Sequence, residues 1–345
     1  MEIHTIGIDL GKTTFHLVGL DARGEVVVRK KYSRTQLLRF TANRKVHLIG
    51  MEACGGSHFL GRALREQGHE VRLIPAQYVK PFVKTNKTDF IDAEAIAEAV
   101  GRPRMRFVPI KTDDQLDLQS LHRVRERWVT RRTSVVNQIR SLLLERGTTV
   151  PKGRCHLEAV LPEILEDAAG KLSATLHLLL AQLKLELDQL ATRLAEVEAV
   201  IQFTAQENEA CKRLVAIPGI GPVTATALVA AIGNGAAFKK GREFAAWLGV
   251  VPGEYSTGGK QKLLGISKRG NRYLRTLFVQ CARAVLQQRN KHSTRLSEWL
   301  GQLTVRAHRN VVCVTLANKL ARIAWAVLAT GQAYRPAAVP VAEAA

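Results

Sequence analysis

Within its first 75 residues the chain packs several β-rich runs so close together that few sheets can be built from them. Ile3–Leu10 and Phe15–Leu20 are separated by a turn at Gly11-Lys12-Thr13, and Asp21-Ala22-Arg23-Gly24 turns the chain again into Glu25–Lys31. Connections this short make antiparallel neighbours. A polar helical stretch follows, then the apolar run Val46–Met51, a Gly55-Gly56 turn, a helix to about Gln67 and the run Val71–Ile74. A strand that returns through a helix can lie parallel to the one before it. A helix from about Asp89 to Val100 and a short strand near Met105–Ile110 complete an α/β segment over 1–110. The expectation is a mixed sheet with helices on its faces.

This order of strands is that of the RuvC and ribonuclease H-like fold, in which the fourth strand lies parallel to and beside the first. On that topology Asp9 closes the first strand and Glu52 closes the fourth, so both carboxylates project from one end of the sheet. Asp89 and Asp92, three apart at a helix start, face one direction. Taken alone they are dipole-complementing residues of a first turn, and Asp9 before Gly11 reads as a turn residue. Glu52 closes an apolar strand without a basic neighbour in sequence and has no such ordinary role. The four together favour a pocket of hard oxygen donors suited to Mg²⁺ or Mn²⁺. Two such ions would clamp a phosphodiester.

Charge points to the same ligand class. The 345 residues carry 51 Lys+Arg against 30 Asp+Glu, a net of +21, which speaks for polyanionic partners, nucleic acid above all. Residues 211–345 alone hold 20 basic against four acidic residues, whereas 171–210 is net negative. The length suits two or three domains. The five cysteines are scattered and never form a CxxC pair, which disfavours a disulfide scaffold or a structural zinc site and suits a reducing cytoplasm. Neither a secretory leader nor an unbroken apolar run of membrane-spanning length is visible, so a cytoplasmic, nucleoid-associated protein without a membrane partner is expected.

From about Asp113 to Glu145 the chain reads as helix and carries Arg123, Arg125, Arg127, Arg131, Arg132 and Arg140. These form either a solvated helix face or a surface that tracks a nucleic-acid backbone; Arg123, Arg127 and Arg131 are the candidates. Over Leu172–Phe203 the residues Leu176, Leu180, Leu183, Leu187, Leu190, Leu194, Val197 and Ile201 recur at steps of four and three, the seam of a coiled coil. Its partner is either the 113–145 helix of the same chain or a second copy. Residues 111–210 thus make a helical linker and arm.

Leu214–Pro222 contains Pro218-Gly219-Ile220-Gly221 before the apolar helix Thr224–Ile232, a pattern similar to the helix–hairpin–helix. Its tight turn presents backbone N–H groups to a phosphate, which makes Gly219 and Gly221 candidate DNA contacts. Farther on, Tyr255-Ser256-Thr257-Gly258-Gly259-Lys260 is neither a P-loop nor a GxSxG elbow. Lys260, Lys262, Lys268, Arg269, Arg272 and Arg275 follow it closely. Ser256 is therefore a nucleophile for phosphoryl transfer or a polar turn residue beside a DNA-binding face, and pattern alone favours the turn. Lys12, beside Asp9, joins the candidate nucleic-acid contacts. The C-terminal domain, 211–335, is expected to be mainly α, with a disordered tail over 336–345.

Gly7-Ile8-Asp9, Met51-Glu52-Ala53, Lys87–Ala93, the Ile217–Pro222 hairpin, Tyr255–Lys260 and Ile266-Ser267-Lys268-Arg269-Gly270-Asn271 occur in that order. This ordered set, covering roughly residues 3–330, resembles the DEDD-type insertion-sequence transposases, the Piv-invertase-like and bridge-RNA-guided recombinases. The resemblance implies a DNA transposase with a RuvC-like domain, a coiled-coil arm and a C-terminal transposase domain. It implies that Asp9, Glu52, Asp89 and Asp92 act with Mg²⁺. It also implies that Ser256, with Thr257 standing where many relatives have a second serine, attacks DNA to form a covalent phosphoserine link. Donor and target double-stranded DNA, a structured guide RNA, and a homodimer that assembles into a tetramer with composite sites are the partners it implies.

Three other readings compete. A RuvC-like structure-specific endonuclease would use water as the attacking group and leave Ser256 structural. An actin-like ATPase is suggested by Gly7–Thr13, yet a second duplicated half with its own Asp–Gly loop is missing from the sequence. A non-catalytic nucleic-acid-binding protein would need the basic residues alone.

Overall fold

The first hairpin pairs as its short turn requires. Strands β1 (Thr5–Leu10) and β2 (Phe15–Leu20) run antiparallel from Thr5 opposite Leu20 to Leu10 opposite Phe15. Strand β3 (Val26–Tyr32) continues the meander on β2. It carries Arg29, Lys30 and Lys31 along the exposed edge, where charge discourages pairing with another sheet. Helix α1 (Arg34–Ala42) begins in a capping box between Ser33 and Gln36 and leads to β4 (Leu48–Glu52), which lies parallel to β1. Helix α2 (Ser57–Glu66) then crosses to β5 (Val71–Ile74), parallel to β4. The five-stranded order is β3-β2-β1-β4-β5, and the fourth strand stands beside the first.

This computed structural model describes residues 2–84, 88–166, 172–288 and 295–336; the tail expected over 336–345 lies, beyond Pro336, outside the described residues. The chain divides into two units, Met1–Asp113 and Asp114–Ala345.

In the first unit alternation sorts each strand between two layers. Ile6, Ile8, Ile49 and Met51 face α1 and α2 with Leu37, Leu60 and Leu64. Residues of the opposite parity face α4 (Asp89–Val100), which follows the single turn α3 (Ala76–Val79) and a 3-10 turn at Lys80–Phe82. On this face the sheet is nearly bare. A Cβ on Gly7 would lie 2.1 Å from the carbonyl oxygen of Ala93, and one on Gly50 would lie 2.8 Å from Val100. Glycine in the strands and alanine in the helix let α4 sit almost on the backbone of β1 and β4. The strand expected at Met105–Ile110 is reduced to a single bridge, Val108 opposite Leu73. Pro103 and Pro109 lack the N–H groups a longer ladder would need.

Among its described residues the second unit is helical apart from one hairpin. Helix α5 (Asp113–Leu144) and helix α7 (Ala174–Glu207) are the long ones, with α6 (Arg154–Glu166) between them. Leu176, Leu180, Leu187 and Leu190 of the heptad seam are buried with Val135, Ile139 and Leu143 of α5 and with Leu157 and Leu161 of α6. Arg125 meets Glu198 and Arg131 meets Glu186. Ascending numbers on one helix face descending numbers on the other, so α5 and α7 are antiparallel. Of the two partners the sequence left open for the seam, this one is in the same chain. At about 1.5 Å per residue α7 is about 50 Å long.

Next come α8 (Glu209–Val215), α9 (Pro222–Ile232) and α10 (Gly241–Leu248), a hairpin of β6 (Pro252–Glu254) and β7 (Leu263–Ile266), then α11 (Arg272–Gln287), α12 (Arg295–Arg306) and α13 (Arg309–Thr330). Helix α13 is long and apolar enough, by length and composition alone, to cross a membrane. Its Val312, Leu316, Leu320 and Ala324 are buried in the core with Phe244 and Phe278.

Candidate functional site

The bare floor under α4 determines which side chains meet at the end of the sheet. Asp9 follows Gly7 by two residues and Glu52 follows Gly50 by two. Both therefore share the α4 face, on adjacent parallel strands one residue beyond the Ile8–Met51 pair. Thr88 caps α4 by accepting from the Ile91 amide. The first turn then carries Asp89, exposed, and Asp92, half-buried. Asp9, Asp89 and His16 bring one ligand atom each to within 4.8 Å of one another. His16 sits directly across the hairpin from Asp9, places Nδ1 3.4 Å from an oxygen of Asp89, and meets the Phe90 ring edge-on at 4.8 Å. Burial pushes the nearby Cys54 thiol up in pKa, and the negative charges of Glu52 and Asp9 push it further. Both carboxylates therefore act on the same small volume.

The structure thus brings Asp9 and Asp89 together, sets Glu52 beside Asp9, and leaves Asp92 one turn along α4. His16 was not foreseen from sequence. The pairing of a four-residue turn that puts His16 opposite Asp9 is the signal that finds it. An oxygen-rich group with one imidazole fits a hard or borderline divalent cation.

A second constellation lies on the β6–β7 hairpin. Gly258 and Gly259, both with positive φ, form its two-residue tip, and Thr257 bridges Lys260. Two successive residues at φ > 0 are the requirement of a primed hairpin turn, which glycine meets without strain. Ser256 stands exposed next to the tip, and its hydroxyl donates a 2.6 Å hydrogen bond to the Glu254 carboxylate, which also accepts from Gln261 at 3.4 Å. The expected loop is therefore a strand pair, and Glu254 is a neighbour the sequence did not single out, although its i, i+2 spacing on an extended strand puts it on the same side as Ser256.

The candidate nucleic-acid contacts fall into two groups. Lys12, Arg123, Arg127, Lys260, Lys262, Lys268, Arg269 and Arg272 are exposed. Arg131, also exposed, donates to Glu186 across the helix pair, and half-buried Arg275 donates to the carbonyls of Leu248 and Arg269, bracing the loop before α11. In that loop Lys268 has φ of 54°, a left-handed conformation uncommon outside glycine. The two hairpin glycines also differ. Gly219, at positive φ, packs where a Cβ would lie 2.7 Å from the Cys281 carbonyl oxygen, while Gly221 is the open N-cap of α9.

Behind these surfaces a buried polar chain links three helices. His122 meets the Tyr273 hydroxyl and Thr226 Oγ1, each at 3.0 Å. Thr226 donates to the Pro222 carbonyl, so its oxygen accepts from Nε2–H, and Nδ1 is left to accept from Tyr273. Burial, aided by Arg125, pushes His122 down to about 4.

A mixed sheet with paired carboxylates at the end of its first and fourth strands fits a RuvC-like DEDD domain. A transposase family model carrying that DEDD name matches residues 6–146, and a model described as the transposase IS116/IS110/IS902 family matches residues 211–298. The chain is 45% identical over 337 residues to a "Probable family 20 transposase" of Pseudomonas aeruginosa, covering 97% of this chain and all of that protein. It is 45% identical over 336 residues to the transposase for insertion sequence element IS1328 of Yersinia enterocolitica, covering 96% and 99%. To the transposase for insertion sequence element IS1111A of Coxiella burnetii it is 40% identical over 334 residues, covering 97% and 92%. The chain belongs to the IS110/IS116 family of insertion-sequence transposases and is an enzyme acting on DNA. Its DEDD domain implies the use of divalent metal.

Proposed function

We propose that this transposase cuts and rejoins DNA through a covalent phosphoserine intermediate on Ser256, with Asp9, Glu52, Asp89 and Asp92 acting on the same phosphodiester. The observation that carries the reading is the Ser256 hydroxyl at an exposed hairpin tip, donating to Glu254 at 2.6 Å. Glu254 is placed to take the hydroxyl proton as Oγ bonds to phosphorus. The phosphorus–O3′ bond breaks, the leaving oxygen takes up a proton as a 3′-hydroxyl, and the 5′-phosphate stays on the serine. Attack by a 3′-hydroxyl reverses the step, so ligation needs no ATP.

Asp9, Asp89 and His16, with Glu52 adjacent, would hold a divalent cation, Mg²⁺ or Mn²⁺, which supplies charge neutralisation of the phosphoryl oxygens. Thr88 and Phe90 keep Asp89 and His16 facing one another. Lys260 and Lys262 on the hairpin, and Arg272 at the start of α11, offer cations for the strand. In functional terms residues 1–110 carry the carboxylates, 111–210 the arm, and 211–335 the serine and the α8–α9 hairpin that supports DNA contact. Guidance by a structured RNA, assembly of dimers into a tetramer and action at the nucleoid in the cytoplasm complete the reading.

The test is adduct trapping. Wild-type protein with an element-end substrate and Mg²⁺ should yield a protease-sensitive protein–DNA species, and Ser256→Ala should abolish it. Cutting at normal rate by Ser256→Ala would instead favour the DEDD domain acting as a hydrolytic nuclease with water as the attacking group.

A further inference from the structure

A second concave surface of the C-terminal unit has no place in that chemistry. Between the start of α10, the face of α13 and the side of α12 lies a cavity of about 670 Å³, of a size that accepts a small ligand or part of a larger one. Among the described residues Lys240, Arg242, Lys319 and Arg322 line it, with Trp299 and Trp325, and no Asp or Glu does. Several cations elsewhere are paired, Arg29 with Glu94, Lys84 with Glu98 and Arg125 with Glu198, while others, such as Lys260 and Lys262 of the Ser256 hairpin, stand exposed like these. Among the described residues none of these four meets a carboxylate. Lys240, Arg242 and Arg322 are exposed and Lys319 is half-buried, so the four make a basic concavity to which a polyanion supplies the counter-charge. Partial burial and the neighbouring Arg322 already push the Lys319 ammonium down in pKa. The Lys319 ammonium stands 4.1 Å from the centre of the Trp299 ring, and the Trp325 indole is fixed by donating to the Gly235 carbonyl. Helix α10 begins at the same rim without a side chain capping its first turn.

Uncompensated cations beside flat indoles are what a single-stranded nucleic acid engages, phosphates on the charges and an unstacked base on the ring. We infer that the α10–α12–α13 cavity is a binding site for a single-stranded segment of nucleic acid, its phosphodiesters held by Lys240, Arg242, Lys319 and Arg322 and a base lodged against Trp299. The inference deepens the reading of the chain as a recombinase, and it concerns a surface separate from the Ser256 hairpin. Duplex DNA, whose bases are stacked away, would leave the indole unused.

The experiment is fluorescence anisotropy of labelled 12-nucleotide oligo(U) and oligo(dT) with the full-length protein in EDTA. Strand chemistry is then silent, and failure here leaves the adduct experiment untouched. Trp299→Ala should weaken binding about fivefold to a hundredfold, and Trp299→Phe should restore most of it. Exposed Arg242 and Arg322, both changed to Ala, should lower the slope of log affinity on log salt by about 1.4, near 0.7 for each phosphate lost. Equal losses for both oligonucleotides mark the strand backbone as the ligand. A loss confined to oligo(U) marks RNA. Variants that melt like wild type yet keep wild-type affinity and salt slope would overturn the site, as would an equal loss on a duplex of the same length.

Discussion

Gly7→Ala is a one-methyl change that tests how the carboxylate site is built. The new Cβ would lie 2.1 Å from the Ala93 carbonyl oxygen, 2.5 Å from the Ala97 nitrogen and 2.8 Å from the Ala97 methyl group. Two of those atoms are backbone, so no rotamer change relieves the clash. An ordinary contact begins near 3.4 Å, and α4 must therefore lift from β1 by roughly 1 Å or more, an overpacking that costs about 1–3 kcal/mol. The same lift carries Asp89 away from Asp9 and His16. A displacement of about 1 Å in reacting groups costs about a hundredfold in rate. Thermal unfolding should show a modest fall in midpoint, while metal-dependent DNA cleavage falls about a hundredfold and Mn²⁺ affinity drops with it. Gly101→Ala, at the right-handed C-cap of α4 with nothing near its Cβ, is the control for stability. Wild-type cleavage and Mn²⁺ affinity in Gly7→Ala would refute the view that close helix–strand contact sets the site.

Three further outcomes are expected. His122 has a folded pKa of about 4, below its usual 6.5. The unfolded chain therefore takes up the proton first as pH falls from about 6.5 to 4, and stability is lost across that window. The loss is of order 3 kcal/mol, visible as a falling melting temperature whose slope becomes shallower in His122→Asn, the remainder belonging to His58, which burial, Lys111 and Arg62 also push down to about 4. His16→Asn should weaken Mn²⁺ about tenfold by calorimetry and leave Mg²⁺ little changed, since imidazole favours the softer ion; equal loss of both would make His16 a packing residue. Glu254→Gln should slow adduct formation by about a hundredfold or more with DNA affinity unchanged, and an unaltered rate would remove Glu254 from proton transfer.

Much of the first unit was legible because short turns leave little freedom. The turn at Gly11 dictates an antiparallel hairpin, and the helical stretch between Tyr32 and Leu48 is long enough to bring the chain back so that β4 lies parallel to β1, which sets Glu52 beside Asp9. The heptad leucines announced a long helix, but a seam of leucines is indifferent to whether its partner is intramolecular; Arg125 opposite Glu198 and Arg131 opposite Glu186 tell that story only in three dimensions. His16 escaped notice because a lone histidine on a strand is unremarkable until register pairs it with an aspartate. The strand expected at 105–110 failed on its prolines. The Ser256 loop became a hairpin because Gly258-Gly259 is turn chemistry first and phosphate-cradle chemistry only second.

The long helices α5 and α7 have one more consequence. Their cross-helix pairs set Arg125 and Arg131 of α5 against Glu198 and Glu186, so two of that helix's cations are held internally while Arg123 and Arg127 stay exposed. To an approaching polyanion such a rod offers a thinned row of charge in place of a continuous basic strip. The attraction that draws a nucleic acid in falls more heavily on residues 211–345, where 20 basic residues stand against four acidic ones.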